Sequence, residues 1–105
     1  MSALPSDNGD DLTQEERLEK YTGPVDWSYL APHQKLGHLY HLDLSQNLAD
    51  VGKLFIHDKR EAVDALLKSG DLTLMGDLHA EWFVKNPQMF TAVIVTPFII
   101  CQPLD

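Results

Sequence analysis

Met89-Phe90-Thr91-Ala92-Val93-Ile94-Val95-Thr96-Pro97-Phe98-Ile99-Ile100-Cys101 is the longest apolar stretch of this 105-residue chain. Its β-branched and aromatic residues predict a β segment rather than a helix. Alternation along it places Phe90, Ala92, Ile94, Phe98 and Ile100 on one face and Val93, Val95, Ile99 and Cys101 on the other. Apolar residues on both faces predict a central strand, or a strand whose second face needs a cover. Pro97 has no N–H to donate, so the ladder is interrupted there and the strand bends or lies at an edge. The stretch is broken by Thr and Pro, and it falls short of the ~20 residues of a membrane span.

Working outward, the elements that cover this segment come from two pairs of helices. Leu48, Val51, Leu54 and Phe55 recur at helical spacing behind a cap at Ser45 or Asn47. Asp58 with Glu61 reads as a capping box, opening a helix with Ala62, Val63, Leu66 and Leu67 on its apolar face. Gly70 follows where a left-handed C-cap belongs. These two helices cover one face of the β segment. The other falls to short helices around Trp27 and Trp82, or to a second molecule. Asp26 caps the first of these, which Pro32 keeps short or kinked. The other runs from Leu78 to Lys85, with Leu78 and Trp82 expected to be buried. His38–Asp43 and Asp71–Met75 alternate as short strands.

The fold class predicted is α+β: a small three-stranded sheet packed on helices, in a winged-helix-like order of strand, helix, helix, strand, insert, strand. That order is a fold-level analogy and carries no function. The chain has room for one domain, expected over residues 13–105. Residues 1–12 are rich in Ser, Asp, Asn and Gly and read as a disordered acidic tail. Thr13 opens a helix through a capping box with Glu16, and Gly23-Pro24 stops it.

Four pieces together resemble a family of small bacterial proteins, domain-of-unknown-function family 2288. They are Val25-Asp26-Trp27-x-x-Leu30-x-Pro32-His33, Leu48-x-x-Val51-Gly52, Val63-x-x-Leu66-Leu67-x-x-Gly70-x-Leu72 and Val93-Ile94-Val95-x-Pro97-Phe98. The resemblance implies a bacterial cytosolic protein and supplies no activity.

Charge narrows the partners. The net charge is −8, and the first twenty residues, with six acids against two bases, hold −4 of it. Such a field repels phosphate backbones and anionic lipid. The helix that a winged-helix reading would send into DNA carries Lys59, Arg60 and Lys68 against Asp58, Glu61 and Asp64, a net of zero, so duplex DNA is not an expected partner. The single cysteine, Cys101, fits a reducing compartment, and the N-terminus lacks the pattern of a signal peptide. Cytoplasm is the expected location.

Catalysis and cofactors find no support. His38-x-x-His41 with Asp43 is the sharpest metal candidate, but in a strand the two histidines point to opposite faces. His41 and Asp43 alone are two ligands, short of a zinc site. Cys101 sits in an apolar strand without a neighbouring base. No nucleophile elbow, Walker loop or dinucleotide fingerprint occurs. No cofactor and no enzymatic activity are expected. The leading expectation is a protein-interaction module, with self-association as one form of it. A winged-helix nucleic-acid-binding regulator and a metal- or small-ligand-binding domain are the alternatives. Trp27 and Tyr29, of types enriched in hot spots, and the polar His33 are candidate partner contacts. Ile99 and Ile100, one on each face of the β segment, complete the set.

Overall fold

The computed structural model describes residues 23–104. In chain order it holds β1 (Gly23–Asp26), α1 (Trp27–Lys35), β2 (Leu39–Leu42), α2 (Leu48–Ile56), α3 (Arg60–Ser69), β3 (Leu72–Leu74), α4 (Asp77–Lys85), β4 (Met89–Val95) and β5 (Phe98–Pro103). The expected tail over 1–12 and the helix opened by Thr13 lie outside these residues.

The apolar stretch is a hairpin, not one long strand. Val95 pairs with Phe98 across the two-residue turn Thr96-Pro97, and the register runs on through Ile94↔Ile99 and Ala92↔Cys101. Pro97 therefore occupies the turn, where its missing N–H breaks no ladder. The turn also inverts parity: odd-numbered Ile99 and Cys101 join the face of Phe90 and Ala92, while Ile100 joins Val93 and Val95.

The sheet has five strands, not three, in the order β1-β4-β5-β2-β3. Every pairing is antiparallel except β2 with β5, so the sheet is mixed. Two extra strands account for the difference. β5 was hidden behind Pro97 in the long segment. β1, Gly-Pro-Val-Asp, carries the two residues most depleted from strands, which an edge position tolerates. The order strand, helix, helix, strand does occur, as β2-α2-α3-β3, at one end of this larger sheet.

Helices cover both faces. On one, α2 and α3 close over Leu42, Leu72, Val93, Val95 and Ile100. On the other, α1 and α4 close over Leu39, Phe90, Ala92, Ile99 and Cys101. Each fully buried Leu, Ile or Phe contributes about 1.5–3 kcal/mol relative to exposure. The doubly apolar hairpin thus sits at the centre of a helix–sheet–helix sandwich, its two faces covered within one chain.

The caps explain where the helices start. Asp26 Oδ1 accepts the Tyr29 N–H at 3.1 Å and the Ser28 hydroxyl at 2.7 Å. α1 then runs nine residues through Pro32 and unwinds at Leu36. Of the two candidates before α2, Asn47 is the cap, accepting the Asp50 N–H at 2.9 Å. Asp58 does not cap α3. It lies at φ 55°, and its carboxylate takes the Arg60 Nε–H at 3.0 Å instead. Gly70, at φ 87°, is the left-handed C-cap the sequence predicts. In α4 the expectation of buried Leu78 and Trp82 fails: Ala80 and Phe83 face the core, and Leu78 and Trp82 face water.

Candidate docking surfaces

The α1–α4 layer is built on an aromatic base. Trp27 leaves its cap at Asp26 and turns inward, 5.3 Å from Phe83 and 6.3 Å from Phe90, with Phe83 and Phe90 5.0 Å apart. Gln34 Nε2 donates to Asp77 Oδ1 at 3.2 Å, tying the end of α1 to the start of α4, so the helices run antiparallel. Between them lies a groove of about 520 Å³ lined by Trp27, Ala31, Pro32, Lys35, Phe83 and Val84 among others. Around it, α1, its C-cap and α4 expose large apolar side chains. Leu78 is 80% exposed, Val84 68%, Leu36 67% and Trp82 59%. Tyr29 lies one turn from His33, and their rings are 5.6 Å apart on the exposed flank of α1.

The opposite layer carries a different feature. Tyr40, Phe55 and Phe98 pack edge to face, with centroids 5.6–5.8 Å apart, and His38 packs on Phe98 at 5.6 Å. They floor a pocket of about 250 Å³ whose rim includes Asp58, Lys59, Arg60 and Asp64. The rim charges compensate one another. Arg60 pairs with Asp58 at 3.0 Å, and Lys68 with Asp64 at 3.2 Å one turn further on.

Burial and local hydrogen bonds shift several titratable groups within the fold. Burial pushes the Cys101 thiol up to about 12, and its Sγ sits 3.9 Å from the Met75 sulfur. Burial also lowers the His41 pKa, reinforced by His79 and opposed by Asp43. The Nδ1 of His79 is already occupied, accepting the Gly76 N–H at 3.0 Å. His41 shares the Cys101 face through its register, while His38 turns to Phe98 on the other. Hydrogen bonds from Ser45 hold the Asp43 carboxyl below its ordinary range. Among the described residues, no three His, Cys, Asp or Glu side chains converge on a common point. The buried Gln102 donates to the Asp43 and Gln46 carbonyls at 3.0 and 2.8 Å, fixing the loop before α2.

The candidate partner residues separate into two groups. Tyr29 and His33 are brought together on the outside of α1. Trp27 is 7% exposed, Ile99 2% and Ile100 0%, and the two isoleucines lie in opposite cores. Trp27, Ile99 and Ile100 are therefore packing residues that offer a partner nothing in the folded chain. The residues missed by the sequence reading are Leu78, Trp82 and Val84. Their signal was present: α4 has apolar side chains around its whole circumference, and a helix lying on a sheet buries only one stripe.

These features define an α+β domain with one apolar and one charged outer layer. The chain belongs to the family described as "Protein of unknown function (DUF2288)", whose model matches residues 13–103. It is also similar to a solution structure of PA1075 from Pseudomonas aeruginosa, at 29% identity and a TM-score of 0.75, over 85% of this chain and 82% of that one. No curated protein matches. Among the described residues no helix is long and apolar enough to cross a membrane.

Proposed function

We propose that this protein is a non-enzymatic protein-interaction module that docks its partner on the α1–α4 layer. The observation that carries it is the one-sided placement of exposed apolar side chains. Tyr29, Leu36, Leu78, Trp82 and Val84 all lie on α1, its C-cap or α4, whereas α2 and α3 expose only Leu67. Trp and Tyr are the residue types that anchor interfaces most often, and apolar patches of this extent on a soluble domain mark interaction sites. Nucleic-acid binding through α3 has less support, because Arg60 and Lys68 are each paired to a carboxylate and the helix is neutral.

The test is partner capture from native lysate by wild type, by Leu78→Asp/Trp82→Asp and by Lys59→Glu/Arg60→Glu. A partner held by the wild type and the α3 variant, and lost by the α4 variant, supports the proposal. Capture that depends on Lys59 and Arg60 and ignores α4 overturns it.

A further inference from the structure

We infer that the partner, or one of them, is a second copy of this chain, joined edge to edge through β3 with α4 packed on α4. The inference rests on the docking surface proposed above and names its occupant.

Among the described residues no strand pairs with the outer edge of β3, and that edge is in register for a second copy of itself. Asp43 N donates to the Asp71 carbonyl at 2.7 Å and Met75 N to the Leu39 carbonyl at 2.9 Å. Alternation along the antiparallel ladder then turns the N–H and C=O of Thr73 toward β2, and those of Leu72 and Leu74 outward. β3 is the last strand of the sheet. A two-fold axis through Thr73 sets Leu72 opposite the second copy's Leu74, and Leu74 opposite its Leu72. Both are hydrogen-bonded pairs, with Thr73 facing its counterpart across a non-bonded pair. The result is a continuous ten-stranded sheet.

The same axis makes the two α4 helices antiparallel neighbours on one face of that sheet. His79 approaches His41, which pairs with Thr73, so this flank of α4 looks toward the β3 edge. Leu78 and Trp82, one turn apart, rise beside that flank, while Leu74, 48% exposed, lies at the edge on the opposite face of the sheet with Leu72 and Tyr40. Those two leave on the order of 300 Å² of side chain in water. That is about a third of the ~800 Å² each partner gives to a standard interface. The edge backbone and the helix flanks bring the total toward that size, which fits a reversible dimer rather than an obligate one.

Charge matches as well. Asp77 opens α4 and Lys85 closes it. Antiparallel packing brings each Lys85 toward Asp77 in the first turn of the other helix, a pair of opposite charges that each already sit at the end of their own helix that its dipole favours. Lys85 makes no ion pair among the described residues.

Sedimentation equilibrium of the full chain, from micromolar to near-millimolar concentration, tests this. The wild type is expected to associate reversibly to a dimer. Trp82→Glu should weaken the dimer by about tenfold or more. Leu74→Pro should do the same, because it removes an outward N–H and leaves the β2 ladder intact. Ala49→Glu, on the exposed side of α2 in the opposite layer, should leave the dimer unchanged. Hydrogen exchange needs no variant: the Leu72 and Leu74 amides should be protected at high concentration and lose protection on dilution. A wild type that stays monomeric with both amides unprotected overturns the inference. So does a dimer indifferent to both Trp82→Glu and Leu74→Pro. A monomer that still captures another protein through α4 overturns the second copy while keeping the docking surface.

Discussion

α1 and α4 have nine residues each, α2 and α3 nine and ten, and the two pairs cover faces of one sheet that are equally apolar. Their outer surfaces nonetheless differ. α2 and α3 show water five exposed charged side chains, Asp50, Arg60, Glu61, Asp64 and Lys68, and one exposed leucine. The α1–α4 layer shows four charged ones, with Tyr29, Leu78, Trp82 and Val84 between them and Leu36 at the cap of α1. Covering a sheet takes one apolar stripe per helix. Outside the core residues Val63 and Leu66, α3 leaves Ala62, Ala65 and Leu67 in water, whereas outside Ala80 and Phe83, α4 leaves the larger Leu78, Trp82 and Val84. The excess on α4 contributes nothing to the core, which is why it reads as an interaction surface.

The strongest way to break this contrast is to truncate the two tryptophans of the α1–α4 layer separately. Trp27→Ala is expected to cost about 3–5 kcal/mol of stability, as a buried aromatic does. Trp82→Ala should change the stability of the monomer by less than about 0.5 kcal/mol. Urea unfolding at low protein concentration measures both. Comparable losses from the two would mean that Trp82 is core, and the contrast between layers would collapse.

A smaller effect compares the layers' caps. Asp26→Ala at α1 and Asn47→Ala at α2 should each cost about 1 kcal/mol. Gly70→Ala, at the C-cap of α3, should cost about the same, because its φ of 87° disfavours any side chain while nothing lies within 4 Å to clash. Equal losses from the two N-caps would show that both layers fold with the sheet. A negligible loss for Asp26→Ala alone would mark α1 as a loosely held, adaptable layer.

Acid sharpens the comparison further, since His41 lies under the α1–α4 layer. Its pKa is lowered in the fold from the ordinary 6.5, so the folded chain keeps it neutral where the unfolded chain protonates it. Stability therefore falls as pH drops from 6.5 toward the depressed folded value, and levels off below that value. The lowered Asp26 and Asp43 carboxyls act in a separate window, losing their stabilisation only as pH falls below 3.8. Thermal melts from about pH 7 to about pH 5 should show the His41 slope in the wild type and a flatter one in His41→Gln. An unchanged slope would assign the effect to another group.

The smallest effect belongs to the charged layer. Lys68→Ala breaks an exposed pair with Asp64 and should cost no more than about 0.5 kcal/mol by denaturant unfolding. A larger loss would make that surface a stabilising network rather than a solvated face.

Much of the local structure was legible in the chain. The Asp26 cap, α2 and α3 with their apolar stripes, the Gly70 stop and the strands around Leu39–Leu42 and Leu72–Leu74 all follow from side-chain chemistry acting within a few residues. The two apolar faces of Met89–Cys101, and hence the need for a cover on each, were equally plain. Of the residues singled out from the sequence, Tyr29 and His33 lie together on the outer flank of α1, a local property of a short capped helix. Which residues share a face across Pro97 was decided only by tertiary structure. A strand carries parity through every residue, and a two-residue turn inverts it, which exchanged the cores that Ile99 and Ile100 enter. The outward turn of Leu78 and Trp82 was decided the same way. α4 offers several apolar stripes of similar strength, and the sheet, Trp27 and Phe90 select the one holding Ala80 and Phe83, leaving the others in water.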